Sequence, residues 1–132
     1  MGRNPNFDIS LLDGEAAEDA LARLLLKEKV EVKRERRCWR ERPTGNVCIE
    51  THQGQPRRPS GINTTEADWW AIEYDDDAWV FMTTERLKEI VLAVKGDRPA
   101  VPFGDNHNYG VLVPIERLVE PVQGRRHLKE AA

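Results

Sequence analysis

The sequence has little cysteine: two residues in 132, Cys38 and Cys48. Two thiols cannot build the bridge framework of a small secreted domain, so a reducing cytoplasm is the expected setting. No apolar run approaches the ~20 residues that a membrane span needs. The opening Met-Gly-Arg-Asn-Pro-Asn has no apolar stretch, so no secretory signal is expected. Glycine motifs that cradle nucleotide phosphates are missing. So is an excess of positive charge, with 20 basic residues against 23 acidic ones and a net charge of −3. That excludes a nucleic-acid binder that is basic all over, but not one with a local basic surface. There is no internal repeat and no low-complexity tract. What remains is 39% hydrophobic and 33% charged residues, the profile of a folded domain with a heavily charged surface. The length suits a single domain with its own core, expected over residues 1–122, with a flexible polar tail over 123–132.

The charge is uneven. Lys33 to Arg42 reads KRERRCWRER, and Arg57-Arg58 and Arg125-Arg126-His127 add smaller basic groups. Asp75-Asp76-Asp77 is the acidic counterweight. Arginine outnumbers lysine 14 to 6, and arginine suits bidentate phosphate contacts. The competing reading of KRERRCWRER is a solvated, salt-bridged loop.

Hydrophobic spacing sets the expected elements. Residues 1–12 read as irregular. Asp13 can cap a helix over about 14–27, with Ala17, Leu21, Leu24 and Leu25 as its apolar stripe. Lys29 to Glu35 and Asn46 to His52 both alternate as strands do, with a loop through Thr44-Gly45 between them. Residues 53–63 read as a loop, and Thr65 with Asp68 as a one-turn capping motif. Trp69–Tyr74 and Trp79–Thr83 form a hairpin around the aspartates. Thr84 opens a helix with Leu87, Ile90, Val91 and Val94 on one face, closed by Gly96. Pro99–Pro102 is loop or edge, and Gly110–Pro114 a last strand. The order is helix, hairpin, hairpin, helix, strand: an α+β domain with one mixed or antiparallel sheet and helices packed on it.

The first hairpin carries the chemistry. If Glu35 pairs with Asn46, Glu31 stands opposite Glu50 and Lys33 opposite Cys48, with opposed Cβ atoms ~5 Å apart. Two carboxylates that close repel unless a cation lies between them, and Mg²⁺ prefers carboxylate oxygens. The competing reading is two glutamates on the wet face of a ribbon. At ~100° per residue, Glu18 lies at the edge of the first helix's stripe. It is therefore the helix acid expected to face the hairpin, unless it is an ordinary surface glutamate.

Glu31-Val32-Lys33 has the ExK form of the PD-(D/E)xK nuclease superfamily. A longer ordered series runs with it: Glu18 on a first helix, then VEVKRE, TGNVCIE, PSGINTTEADWW and GDNHNYGVLVP. Over about residues 8–118 the chain resembles the phage-encoded Holliday-junction-resolvase-like branch of that superfamily. The resemblance implies a restriction-endonuclease-like mixed β-sheet flanked by helices. It also implies a homodimer in the cytoplasm, of the host if the chain is phage-encoded, acting on branched DNA, the four-way junction above all. Glu18 takes the place of the helix acid of such enzymes. No clear Pro-Asp precedes Glu31, which departs from the pattern, and two registers stay open. In one, Glu31-Val32-Lys33 is the ExK and Asp8 or Glu18 the upstream acid. In the other, Glu31 is the first strand acid and Glu50-Thr51-His52 holds the ExK place, with His52 where lysine is expected and Lys33 reaching in. Both use Glu31, Lys33 and Glu50.

The implied activity is metal-assisted phosphodiester hydrolysis. Glu18, Glu31 and Glu50 would hold Mg²⁺, with Mn²⁺ able to substitute, and the ion would activate a water and stabilise the reacting oxygens. Lys33 would stabilise developing charge on the phosphate. Arg34, Arg36, Arg37, Arg40, Arg42, Arg57, Arg58 and Ser60 would contact the DNA backbone, giving salt-dependent binding of little sequence preference. Two other readings stand beside this one: a nuclease of the same superfamily acting on other DNA structures, and a non-catalytic nucleic-acid-binding module. Weaker candidates have plain structural readings. Asp68 suits a cap, Asp105 a turn, and Trp69-Trp70 core and sheet surface. His107 and His127 lack ligand spacing to any partner, and nothing activates Cys48.

Overall fold

The computed structural model describes residues 5–34, 44–104 and 107–121, and of residues 5–12 the backbone alone. In chain order come α1 (Pro5–Leu26), β1 (Val30–Arg34), β2 (Asn46–Gln53), β3 (Arg58–Pro59) and a 3-10 turn at Gly61–Asn63. There follow β4 (Trp69–Asp75), β5 (Ala78–Thr83), α2 (Thr84–Asp97), β6 (Val101–Phe103), β7 (Asn108–Pro114) and α3 (Ile115–Val119). The fold is α+β. Its strands form two sheets where the sequence reading expected one: β1-β4-β5, which is mixed, and β3-β2-β7-β6, which is antiparallel. Both sheets contribute to one core. Val47, Ile49, Val111 and Val113 enter it from the four-stranded sheet and Trp70, Ile72 and Met82 from the three-stranded one. Leu87, Ile90, Val91 and Val94 of α2 and Leu118 of α3 complete it.

The element that best follows its sequence is α2. Its four apolar residues recur at helical spacing and all are buried, each worth ~1.5–3 kcal/mol of transfer free energy. Thr83 caps it by accepting a hydrogen bond from Arg86 N at 3.2 Å. The helix runs through Gly96 to Asp97 rather than ending at the glycine. Pro99 supplies the stop, because the residue before a proline avoids helical geometry. The β4–β5 hairpin also forms where expected, from Trp69 opposite Thr83 to Asp75 opposite Ala78. Asp77 turns its corner at φ 53, a conformation aspartate tolerates better than most residues.

Two further expectations fail. The first is the hairpin between the first two strands. β1 pairs with β4, in parallel, with Glu31 beside Trp70 and Lys33 beside Ile72. β2 pairs with β3 and β7, so Glu31 and Glu50 lie in different sheets and do not oppose one another. Alternation reveals a strand but not its partner, and no two-residue turn joins 34 to 46 to set a register. The apolar strand Trp69–Asp75 offered β1 a better neighbour. Asp68 fastens that junction: its carboxylate accepts from Lys29 N at 3.0 Å, and no capped helix forms there. Thr65 accepts instead from Ala67 N at 3.1 Å.

The second failure is α1. It begins at Pro5, not near residue 14, so Asp13 lies inside it and is not its cap. Proline in the first turn costs nothing, since the N–H it lacks has no helical partner there. Of the side chains described on α1, Leu24 alone is buried, while Leu21 and Leu25 are 52% and 62% exposed. The expected stripe is therefore buried at Leu24 only.

Candidate functional site

Glu50 sits beside a bulge in β2. Along β2 the pairing with β7 is regular from Asn46 opposite Pro114 to Glu50 opposite Gly110, then slips so that His52 faces Tyr109. Thr51 is the extra residue of this bulge, and it is 2% exposed. Its hydroxyl donates to the Tyr109 carbonyl at 3.3 Å, and His52 Nδ1 lies 3.0 Å from Thr51 Oγ1. Its carbonyl accepts from Ser60 N and from Asn63 Nδ2, both at 2.9 Å. A bulge leaves backbone groups without ladder partners, and here the Ser60–Asn63 segment supplies one.

That segment approaches so closely that only glycine fits at 61. A Cβ there would stand 2.2 Å from the Glu50 carbonyl oxygen, and φ is 55. Ile62 then drops into the core, 1% exposed. The TGNVCIE and PSGIN stretches, separated by eight residues in sequence, thus form one unit around Glu50. Gly110, across from Glu50, is similarly hemmed in by Cys48 Sγ and the Ile49 carbonyl. The Ser60 hydroxyl is buried in this unit without a hydrogen-bond partner.

The other expected residues are placed as follows. Glu50 is half-buried, Glu31 exposed and Lys33 half-buried on β1, an edge strand. Glu18 is exposed on α1. Among the described residues no three His, Cys, Asp or Glu side chains stand close enough to hold a metal ion, so Glu18, Glu31 and Glu50 are not gathered into one site. Arg57 and Arg58 are exposed beside the end of β2. Arg36, Arg37, Arg40, Arg42, Asp105 and His127 lie outside the described residues, as do the side chain of Asp8 and the tail from 123.

Two features escaped sequence reasoning. Arg34, expected on DNA, donates through Nε to Glu73 Oε2, and the Glu73 side chain is 8% exposed. The signal was a glutamate inside the apolar run WWAIEY. The other is Tyr109, whose ring lies under Arg57, with Cζ 3.7 Å from its centroid. A cleft of about 390 Å³ between the end of α2 and the start of α3 is lined by Val94, Asp97, Arg98, Pro114, Glu116 and Arg117. None of these was a candidate from sequence. No described helix is long and apolar enough to cross a membrane.

No family model matches the chain, and no curated protein or solved structure matches it either.

Proposed function

We propose that this chain is a divalent-cation-dependent, structure-selective DNA endonuclease of PD-(D/E)xK type, acting in the cytoplasm, with the four-way junction as its substrate. The observation that carries the reading is the docking of Ser60–Asn63 on the Glu50 bulge. It joins two segments of the series on which the family resemblance rests, next to two exposed arginines. Lys33 and Glu50 are the residues on which cleavage should depend, with Glu31 and Glu18 as further acids. The basic stretch from Arg34 to Arg42 and the Arg57–Arg58 pair would hold the DNA backbone, whereas the Ser60 hydroxyl is buried and lies outside that surface. Mg²⁺, or Mn²⁺ in its place, is the proposed cofactor. The second reading, a nucleic-acid-binding module without catalysis, is favoured by the separation of the three glutamates.

One experiment separates these readings. The protein is incubated with a synthetic four-way junction and with linear duplex, each in Mg²⁺ and in EDTA. Paired symmetrical nicks near the junction centre, dependent on Mg²⁺ and lost in Lys33→Ala with binding kept within a few-fold, are the expected result. Equal cutting of linear duplex would instead define a general nuclease. Binding without cutting in Mg²⁺ would leave the module.

A further inference from the structure

At the bulged end of the four-stranded sheet, all four strands lie side by side. His52 pairs with Pro59 on one side and Tyr109 on the other, and Tyr109 pairs in turn with Pro102. Gln53 pairs with Arg58 and Asn108 in the next row. Arg57, just before β3, lays its guanidinium over the Tyr109 ring. Arg57 is exposed and makes no ion pair among the described residues. A free arginine samples many rotamers, whereas one stacked on an aromatic face is held flat. Stacking uses the face of the group and leaves its N–H edge open. That edge matches two oxygens of a phosphate.

We infer that Arg57 is a phosphodiester anchor and that Tyr109 is its positioning residue. The ring aims the guanidinium edge at a backbone phosphate of bound nucleic acid, and Arg58 lies alongside. The inference rests on the nucleic-acid reading above and adds to it a residue that no motif of the series singled out as functional. The chemistry requires a flat cation with two parallel donors, so a lysine at 57 is not an equivalent. The phenol hydroxyl plays no part, so phenylalanine at 109 is.

The test is equilibrium binding of the full chain to junction and duplex DNA in EDTA across a salt series, with melting temperatures of each variant as a control. Arg57→Ala should weaken binding and lower the salt slope by about 0.9, one phosphate contact. Tyr109→Leu should weaken it about two- to fivefold, the scale of an exposed cation–π contact, and Tyr109→Phe should bind like the parent. In the Arg57→Ala background, Tyr109→Leu should add nothing, because its effect passes through the arginine. A purely structural tyrosine would weaken binding equally in both backgrounds, which would overturn the inference. Should Tyr109→Leu fail to fold, Arg57→Lys decides: it should keep the salt slope yet lose affinity, and parental affinity would overturn the role of Tyr109. If the parent binds DNA and Arg57→Ala binds equally well, the anchor is wrong and the nucleic-acid reading survives. If the parent binds no DNA at low salt, both fall.

Discussion

At the scale of single residues, the two tightest arrangements are backbone against backbone and charge against charge. Gly61 presses on the Glu50 carbonyl in a left-handed conformation. Alanine there meets both a steric and a conformational penalty, so Gly61→Ala should cost more than about 2 kcal/mol. For a domain this size that is a fall in melting temperature of roughly 5 °C or more. A variant melting with the parent would mean that the Ser60–Asn63 segment is not seated on Glu50. Arg34 and Glu73 form a pair of unequal partners: the arginine side chain is 57% exposed, the glutamate 8%. The pair itself is worth little where water screens it. The larger effect lies in stranding the glutamate. Arg34→Ala should therefore destabilise by about 1–3 kcal/mol, and Glu73→Gln by less, since a neutral amide tolerates burial without a cation. Chemical denaturation of the two variants checks the order, and equal losses would contradict it. Because Arg34 already serves Glu73, its removal should also weaken DNA binding less than that of an unpaired arginine.

At the scale of elements, the helix and strand positions were legible wherever local pattern and burial agree. The four buried residues of α2 and the aromatic and β-branched runs of β4 and β5 could be read directly, because each element meets one continuous core. Partners were not legible. Val30 and Val32 marked β1 as a strand, but nothing in its own residues told β4 from β2 as its neighbour. The opposed Glu31 and Glu50 fell with that register. The site was legible in part: PSGIN and TGNVCIE were both singled out, and they do meet. Tyr109 was passed over because a single aromatic before a strand has an ordinary core reading. The parallel pairing makes its own prediction. In a chain whose cysteines at 38 and 48 are replaced by alanine, Val32→Cys with Ala71→Cys should form a disulfide under mild oxidation, since these positions are opposite one another. Glu31→Cys with Glu50→Cys should not. The reverse result would restore the hairpin of β1 with β2 and with it the two opposed carboxylates.

At the scale of the whole molecule, the exposed apolar surface asks for a partner. Leu21, Leu25 and Leu26 are 52%, 62% and 82% exposed on α1. On the outer side of the three-stranded sheet, Val32, Ala71 and Phe81 form one row across β1, β4 and β5, with Val32 and Phe81 exposed. Large apolar side chains grouped this way mark interaction surfaces more often than solvent-facing ones. The homodimer that the family resemblance implies would supply a partner, and a four-way junction has the two-fold symmetry that a dimer matches. Leu21→Glu combined with Leu25→Glu should convert a dimer to monomers in sedimentation, and those monomers should nick one strand of the junction without pairing the cuts. The subunits themselves give the sharper measurement. When active protein is mixed with an excess of Lys33→Ala protein and allowed to exchange, most active subunits should sit in mixed dimers. Mixed dimers carry one competent site, so paired cuts should fall with the square of the active fraction while single nicks fall only linearly. A monomeric enzyme has no such dependence, because each active molecule cuts regardless of its neighbours. Paired cuts that decline in simple proportion to the active fraction would therefore sink the dimer, and would leave the apolar row and the α1 stripe to be explained by some other partner.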